Sequence, residues 1–180
     1  VDVIREEATE DILKMAGADE SAYEGLSVLR NVRIRAPWLF ATWLGGLAAS
    51  VLIGQFEAQL QATVALAAFI PIVLGMGGNV GTQTATIIVR GIATGRVSEG
   101  MGLRFLIRET SVGVLLGLLY GVLLGAYAIL AYSGAAHSVE LALTVAISIL
   151  ASMAMSASVC ALTPIIFSRI RIDPAVATGP

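Results

Sequence analysis

Glu7, Glu10 and Asp11 recur at three- and four-residue spacing near the start of the sequence, and a second polar group, Asn79, Thr82, Gln83, Thr84 and Thr86, follows four glycines at 75, 77, 78 and 81. Carboxylates stacked on one helix face repel one another by a few tenths of a kcal/mol per pair. A divalent cation relieves that repulsion, and hard oxygen ligands suit magnesium or calcium. The same three acids also suit a plain solvated face, with Glu10 and Lys14 at the spacing of an ordinary helix ion pair. The second group supplies amide and hydroxyl oxygens without charge. Pro71 removes one backbone donor and the glycines weaken helical order, so the sequence predicts an irregular middle to this segment. In lipid such a break is tolerated where the backbone faces protein or a watery cavity. It therefore reads either as the lining of an aqueous path, with Gly75, Asn79, Gln83 and Thr86 along it, or as a glycine-packed crossing with polar residues bonded between helices.

Other chemistries find no support. The glycine block lacks the Gly-Lys-Ser/Thr of a phosphate loop, and Val80 stands where a dinucleotide fingerprint needs its third glycine. The lone Cys160 has no partner for a disulfide within the chain. No nucleophile has a neighbouring base, so the chain does not read as an enzyme.

The elements that position these groups are helices in a membrane. Of 180 residues, 57% are apolar and 13% charged, too little charge for a water-facing surface, which carries about 25% in typical soluble domains. Charge-free runs define four spans, each near the roughly 20 residues a bilayer requires: 38–56 after Pro37, 58–89, one within 110–139, and 141–168. Asp173 as N-cap and Pro174 at the first helical position open a fifth helix. The stop at Gly179-Pro180, about two turns later, predicts a fragment lacking residues at both ends. The fold class expected is an all-α polytopic bundle of four complete spans plus the start of a fifth. Ahead of it, apolar residues at 1, 4, 8, 12 and 15 give residues 1–17 a helical period ending at Gly17. Residues 18–36 read as a linker with a basic juxtamembrane end, and 37–180 as the transmembrane domain.

Charge placement orients the bundle. Residues 1–36 hold eight acids and five bases, and the remaining six bases lie at 90–108 and 169–171, so all eleven fall on one side of the spans. Segments rich in Arg and Lys stay cytoplasmic, which predicts a cytoplasmic amino-terminal segment in a plasma-membrane protein. The opposite loops hold only Glu57, Glu140 and His137 among ionisable groups. That bareness suits cation entry, and topogenic bias alone explains the bases equally well.

Gly113, Gly117, Gly121 and Gly125 form consecutive small-xxx-small units in the third span, a ridge that lets another helix approach closely. The pattern leaves open whether that helix belongs to the same chain. Ser152, Ala154, Ser156, Ala157, Ser158, Cys160 and Ala161 make the fourth span small on nearly every side, which favours packing over a polar lining. No ionisable residue falls inside a charge-free span, whereas proton relays place them there. A passive path fits, because an inward-negative potential supplies about 2.3 kcal/mol per charge per 100 mV.

These residues together resemble the MgtE family of magnesium channels. Val1-Asp2-Val3-Ile4 through Glu7-Ala8-Thr9-Glu10-Asp11-Ile12 is similar to the helix linking that family's cytosolic domains to the membrane. Gly75-Met76-Gly77-Gly78-Asn79-Val80-Gly81-Thr82-Gln83 is similar to its glycine-asparagine signature, and Asp173-Pro174-Ala175 with Gly179-Pro180 to the opening of its fifth helix. The resemblance implies a homodimer with a pore at its axis, conducting Mg2+ inward and closing when cytosolic Mg2+ is high. It also implies that Glu7, Glu10 and Asp11, with Asp2, bind regulatory Mg2+ together with cytosolic domains of the full-length protein. Asp173 matches another acidic position, and Gly179 lies close to the ion path and offers a backbone carbonyl. The family's pore aspartate is expected after Pro180. Two other readings stand beside the channel: a proton- or ion-coupled divalent cation exchanger, and a structural membrane subunit without transport.

Overall fold

The computed structural model describes residues 13, 28–62, 64–97, 101–134 and 137–175. Asp2, Glu7, Glu10, Asp11 and Gly179 lie outside the described residues. Among the described residues five helices follow in chain order: α1 (Val28–Gly54), α2 (Glu57–Ala62), α3 (Val64–Ala93), α4 (Gly102–Ala131) and α5 (Ser138–Arg169). No strand occurs among the described residues. Four of the helices are long and apolar enough to cross a membrane, so the chain is a multi-pass, all-helical membrane protein.

The chain divides into two compact units, 1–57 with 166–180, and 58–165. In the first, α1 begins at Val28, nine residues before the Pro37 where the apolar run starts, and carries Pro37 within its length. Its apolar side chains, Leu39, Phe40, Trp43 and Leu44 among them, are exposed, and Phe40 and Trp43 stack at 5.5 Å. Gln55 N–H bonds to the Leu52 carbonyl at 3.1 Å and Phe56 N–H to Ile53 at 2.9 Å, closing the helix in a tight turn. The same unit holds the end of α5. There Ile172 N–H reaches the Phe167 carbonyl at 2.9 Å and Arg171 N–H the Ser168 carbonyl at 3.3 Å, with Arg171 at φ 60°. That double bond pattern satisfies carbonyls a helix end otherwise leaves open, at the cost of a left-handed non-glycine residue. Asp173 Oδ1 then accepts Ala175 N–H at 2.9 Å, the cap geometry of a new helical turn.

The second unit is built around α5. Its buried residues include one every four positions, Leu141, Val145, Ile149, Met153, Ala157, Ala161 and Ile165, and each of these joins one of three apolar clusters. Phe69 and Ala128 meet Leu141, Ala142 and Val145; Val80 meets Ile149, Met153 and Ala157; Ile88 meets Ala161 and Ile165. Helix α5 therefore packs against α3 on one side and α4 on the other.

The α4 contact is set by glycine. A Cβ on Gly113 would lie 2.6 Å from the Ala157 Cβ, on Gly117 2.8 Å from the Leu150 Cα, and on Gly121 3.0 Å from the Ala146 carbonyl. Gly125 is looser, at 3.4 Å from the Ala142 carbonyl. The ridge packs on α5 of the same chain, a pairing its spacing left undecided. Lipid chains are as apolar as leucine, so close backbone approach, not exclusion of water, holds such helices together. Thr110 and Ser158 add a hydroxyl pair at 2.9 Å.

Candidate ion-pathway face

Helix α3 runs without interruption from Val64 to Ala93, through Pro71 and the glycines at 75, 77, 78 and 81, which corrects the expected irregular middle. The physical reason lies on its buried face. A Cβ on Gly77 would run into Ser152 Oγ, and one on Gly81 would lie 2.6 Å from Ser156 Oγ and 2.9 Å from Cys160 Sγ. These glycines are small because α5 lies against them. In return, Ser152 Oγ donates to the Val73 carbonyl at 3.1 Å and Ser156 Oγ to the Gly77 carbonyl at 2.7 Å. Packing and external donors hold the helix where its own propensity is weak. Small residues of the fourth span thus serve helix contact, and Cys160 is half-buried in it.

The opposite face of α3 is open. Gly75, Gly78, Asn79, Thr82, Gln83 and Thr86 are all exposed, at three- and four-residue steps along one stripe. Nothing among the described residues lies within 4 Å of a Cβ placed on Gly75 or Gly78, so no contact among them requires glycine there. The buried face carries only one polar side chain, Thr84, at 3% exposure. Sequence reasoning grouped Thr84 with the others; the helix turns it the other way.

The hydrogen bonds of the stripe determine what it offers. Thr82 Oγ1 donates to the Gly78 carbonyl at 3.0 Å and Thr86 Oγ1 to the Thr82 carbonyl at 2.8 Å. With their protons committed to the helix, these hydroxyls present only lone pairs outward. Asn79 and Gln83 make no hydrogen bond among the described residues, and each can turn an amide oxygen to the same side. The result is an uncharged row of acceptors. It fits a partner that donates hydrogen bonds and carries positive charge, such as the water shell of a hydrated cation.

Ser152 and Ser156, read from the sequence as packing residues, also donate to α3 carbonyls. One feature escaped the sequence reading: Glu109 lies seven residues inside α4 and is only 4% exposed. Counting charge-free residues started the third span at 110, whereas the helix starts at Gly102. A 30-residue helix is about 45 Å long and the hydrocarbon layer about 30 Å thick, which places Glu109 near the layer's edge. Its carboxylate forms no hydrogen bond or ion pair among the described residues. No group of three or more His, Cys, Asp or Glu side chains that could hold a metal occurs among the described residues. Asp173, the one described carboxylate of the expected acidic set, is engaged at Ala175 N–H.

Comparison with known proteins places these features in a family. The family model described as "MgtE: Divalent cation transporter" matches residues 70–180, the stretch holding the acceptor row, the glycine ridge and α5. Over its whole length the chain is 34% identical to the magnesium transporter MgtE of Thermus thermophilus and 31% identical to that of Bacillus subtilis. It is 29% identical to the corresponding protein of Enterococcus faecalis. The chain spans 39% of the length of each of these curated relatives.

Proposed function

This chain belongs to the MgtE family of divalent cation transporters, and from that premise we propose that it is the membrane part of a Mg2+ channel in the plasma membrane. The ion moves into the cytosol along the open face of α3. The observation that carries this reading is the row Asn79, Thr82, Gln83 and Thr86, which offers acceptors and no charge. Magnesium sheds its waters reluctantly, so the row holds the ion through its shell: bound waters donate to the two hydroxyl and two amide oxygens. Gly75 and Gly78 keep the wall of the path low enough for an ion of that width.

The path needs a second wall. A second copy of the chain supplies it, with the acceptor rows facing each other across the homodimer axis. The membrane potential drives entry, at about 2.3 kcal/mol per charge per 100 mV. Cytosolic Mg2+ gates the path through Asp2, Glu7, Glu10 and Asp11 with Asp173, acting with cytosolic domains of the full-length protein; the relatives' greater length supports such domains. The chain's part is transport, not catalysis, and Mg2+ is cargo and regulator.

The test is Mg2+ uptake into liposomes holding the full-length protein, with potential and proton gradient clamped separately. Uptake should follow the potential and fall in Asn79→Ala and Asn79→Leu. Flux indifferent to both substitutions would remove the acceptor row from the path. Proton-coupled exchange is the second reading, favoured by the buried Glu109; uptake that follows the proton gradient at zero potential would establish it instead.

A further inference from the structure

The start of α4 carries a basic cavity that the ion path does not use. A space of about 400 Å³ is lined by Met101, Arg104, Phe105 and Arg108. The two guanidinium groups stand four residues apart on one helix face, both are exposed, and neither makes an ion pair among the described residues. Glu109 is the only acid of α4; it is buried and pairs with neither arginine. Among the described residues, the helix end adds to the positive charge. The first turn of α4 holds no acid, and Met101 at its N-cap makes no side-chain cap bond, so free N–H groups and the positive helix end lie beside the arginines. Cations at this end of a helix are unfavourable by themselves, and an anion reverses the sign.

Depth selects the anion. About 15 Å of α4's length of about 45 Å lies beyond the hydrocarbon layer, and the arginines, two and six residues after Gly102, reach the level of lipid phosphates. Their neighbours Leu103 and Ile107 are 69% and 59% exposed, an apolar strip beside the guanidinium pair at the same level. Met101 and Phe105 line the cavity itself. A soluble phosphate needs none of this apolar lining, whereas a phospholipid lays its chains along it while its phosphate meets the arginines.

We propose that Arg104 and Arg108 form a binding site for the headgroup phosphate of an anionic phospholipid, seated in the cavity at the start of α4. Each arginine contributes through charge and forked hydrogen bonds to the phosphate oxygens. The site is separate from the acceptor row of α3.

The full-length protein in nanodiscs of phosphatidylcholine doped with phosphatidylglycerol, released for native mass spectrometry, reports which lipid stays bound. Wild type should retain phosphatidylglycerol over phosphatidylcholine. Arg104→Gln and Arg108→Gln should each lower retention about fivefold, and together about twenty-five-fold, the effect of one surface basic residue taken once and twice. Arg169→Gln with Arg171→Gln removes the same charge elsewhere and should leave retention unchanged. Added inorganic phosphate should not displace the lipid. Equal retention of both lipids by wild type, unchanged retention in the Arg104/Arg108 double variant, or equal loss in the Arg169/Arg171 control would each overturn the site. Displacement by inorganic phosphate would replace the lipid with a soluble anion as occupant. The lipid ratio and the phosphate competition are read on wild type, so the test survives a variant that fails to fold.

Discussion

Ser156 Oγ donates to the Gly77 carbonyl at 2.7 Å, and the same hydroxyl lies where a Cβ on Gly81 would need to be, 2.6 Å away. One small side chain of α5 thus bonds the backbone of α3 and makes use of the space its glycines leave. Ser156→Ala should remove the bond with little change of shape, costing about 0.6 kcal/mol, the average for interhelical bonds in a membrane bundle. Ser152→Ala should add a similar loss at Val73. Unfolding of the full-length protein in mixed micelles measures both.

The glycines of α3 fall into two classes that respond oppositely to alanine. Gly77→Ala drives a methyl group into Ser152 and should destabilise by about 1–3 kcal/mol, the usual cost of overpacking. Gly75→Ala and Gly78→Ala meet open space and should stabilise the helix by up to about 1 kcal/mol each, while reducing Mg2+ flux by narrowing the path. Parallel unfolding and uptake measurements separate the classes. Equal behaviour of all three would mean the open face is not a conduit.

Along α4 the cost of alanine should decrease from Gly117 to Gly125. At Gly117 the new methyl meets the Leu150 backbone at 2.8 Å, and backbone cannot turn aside; at Gly125 the first contact is at 3.4 Å. Gly117→Ala is expected to cost about 1–3 kcal/mol, and Gly125→Ala to stay within about 0.5 kcal/mol of wild type, as substitutions without a named steric or polar defect do. Melting of the detergent-solubilised protein checks the order.

Thr82 tests the acceptor row without altering its shape. Thr82→Val removes the outward lone pairs and should lower Mg2+ uptake. Thr82→Ser keeps the hydroxyl and should retain most of it. Equal uptake by the two variants would assign Thr82 to the wall by volume alone.

Glu109→Gln replaces the side chain of a residue only 4% exposed by a neutral one of the same size. The exchange leaves the packing volume unchanged, so the variant should melt within about 0.5 kcal/mol of wild type. Mg2+ uptake at clamped proton gradient should be unchanged if the path is passive. Loss of proton-driven uptake in this variant would transfer the residue to the coupling reading.

The spans, their number and the all-helical class are legible in the sequence. Unbroken apolar runs in lipid admit only helices, because every backbone group must be bonded within the segment. The small-residue ridge at Gly113–Gly125 is legible for a similar reason: four-residue spacing puts those positions on one side of any α-helix. What no spacing reveals is the occupant of that side. Periodicity relates residues on one helix to each other, and only the neighbouring helix sets which direction is inward. Tertiary packing therefore decided that Gly77 and Gly81 face α5, that Thr84 turns inward while Asn79, Thr82, Gln83 and Thr86 remain open, and that α3 stays helical through its glycines. It also carried α4 back to Gly102 and so enclosed Glu109, which a count of uncharged residues leaves outside. Backbone bonding in lipid is a local demand that sequence can state, whereas the facing of a polar residue depends on a partner helix many residues away.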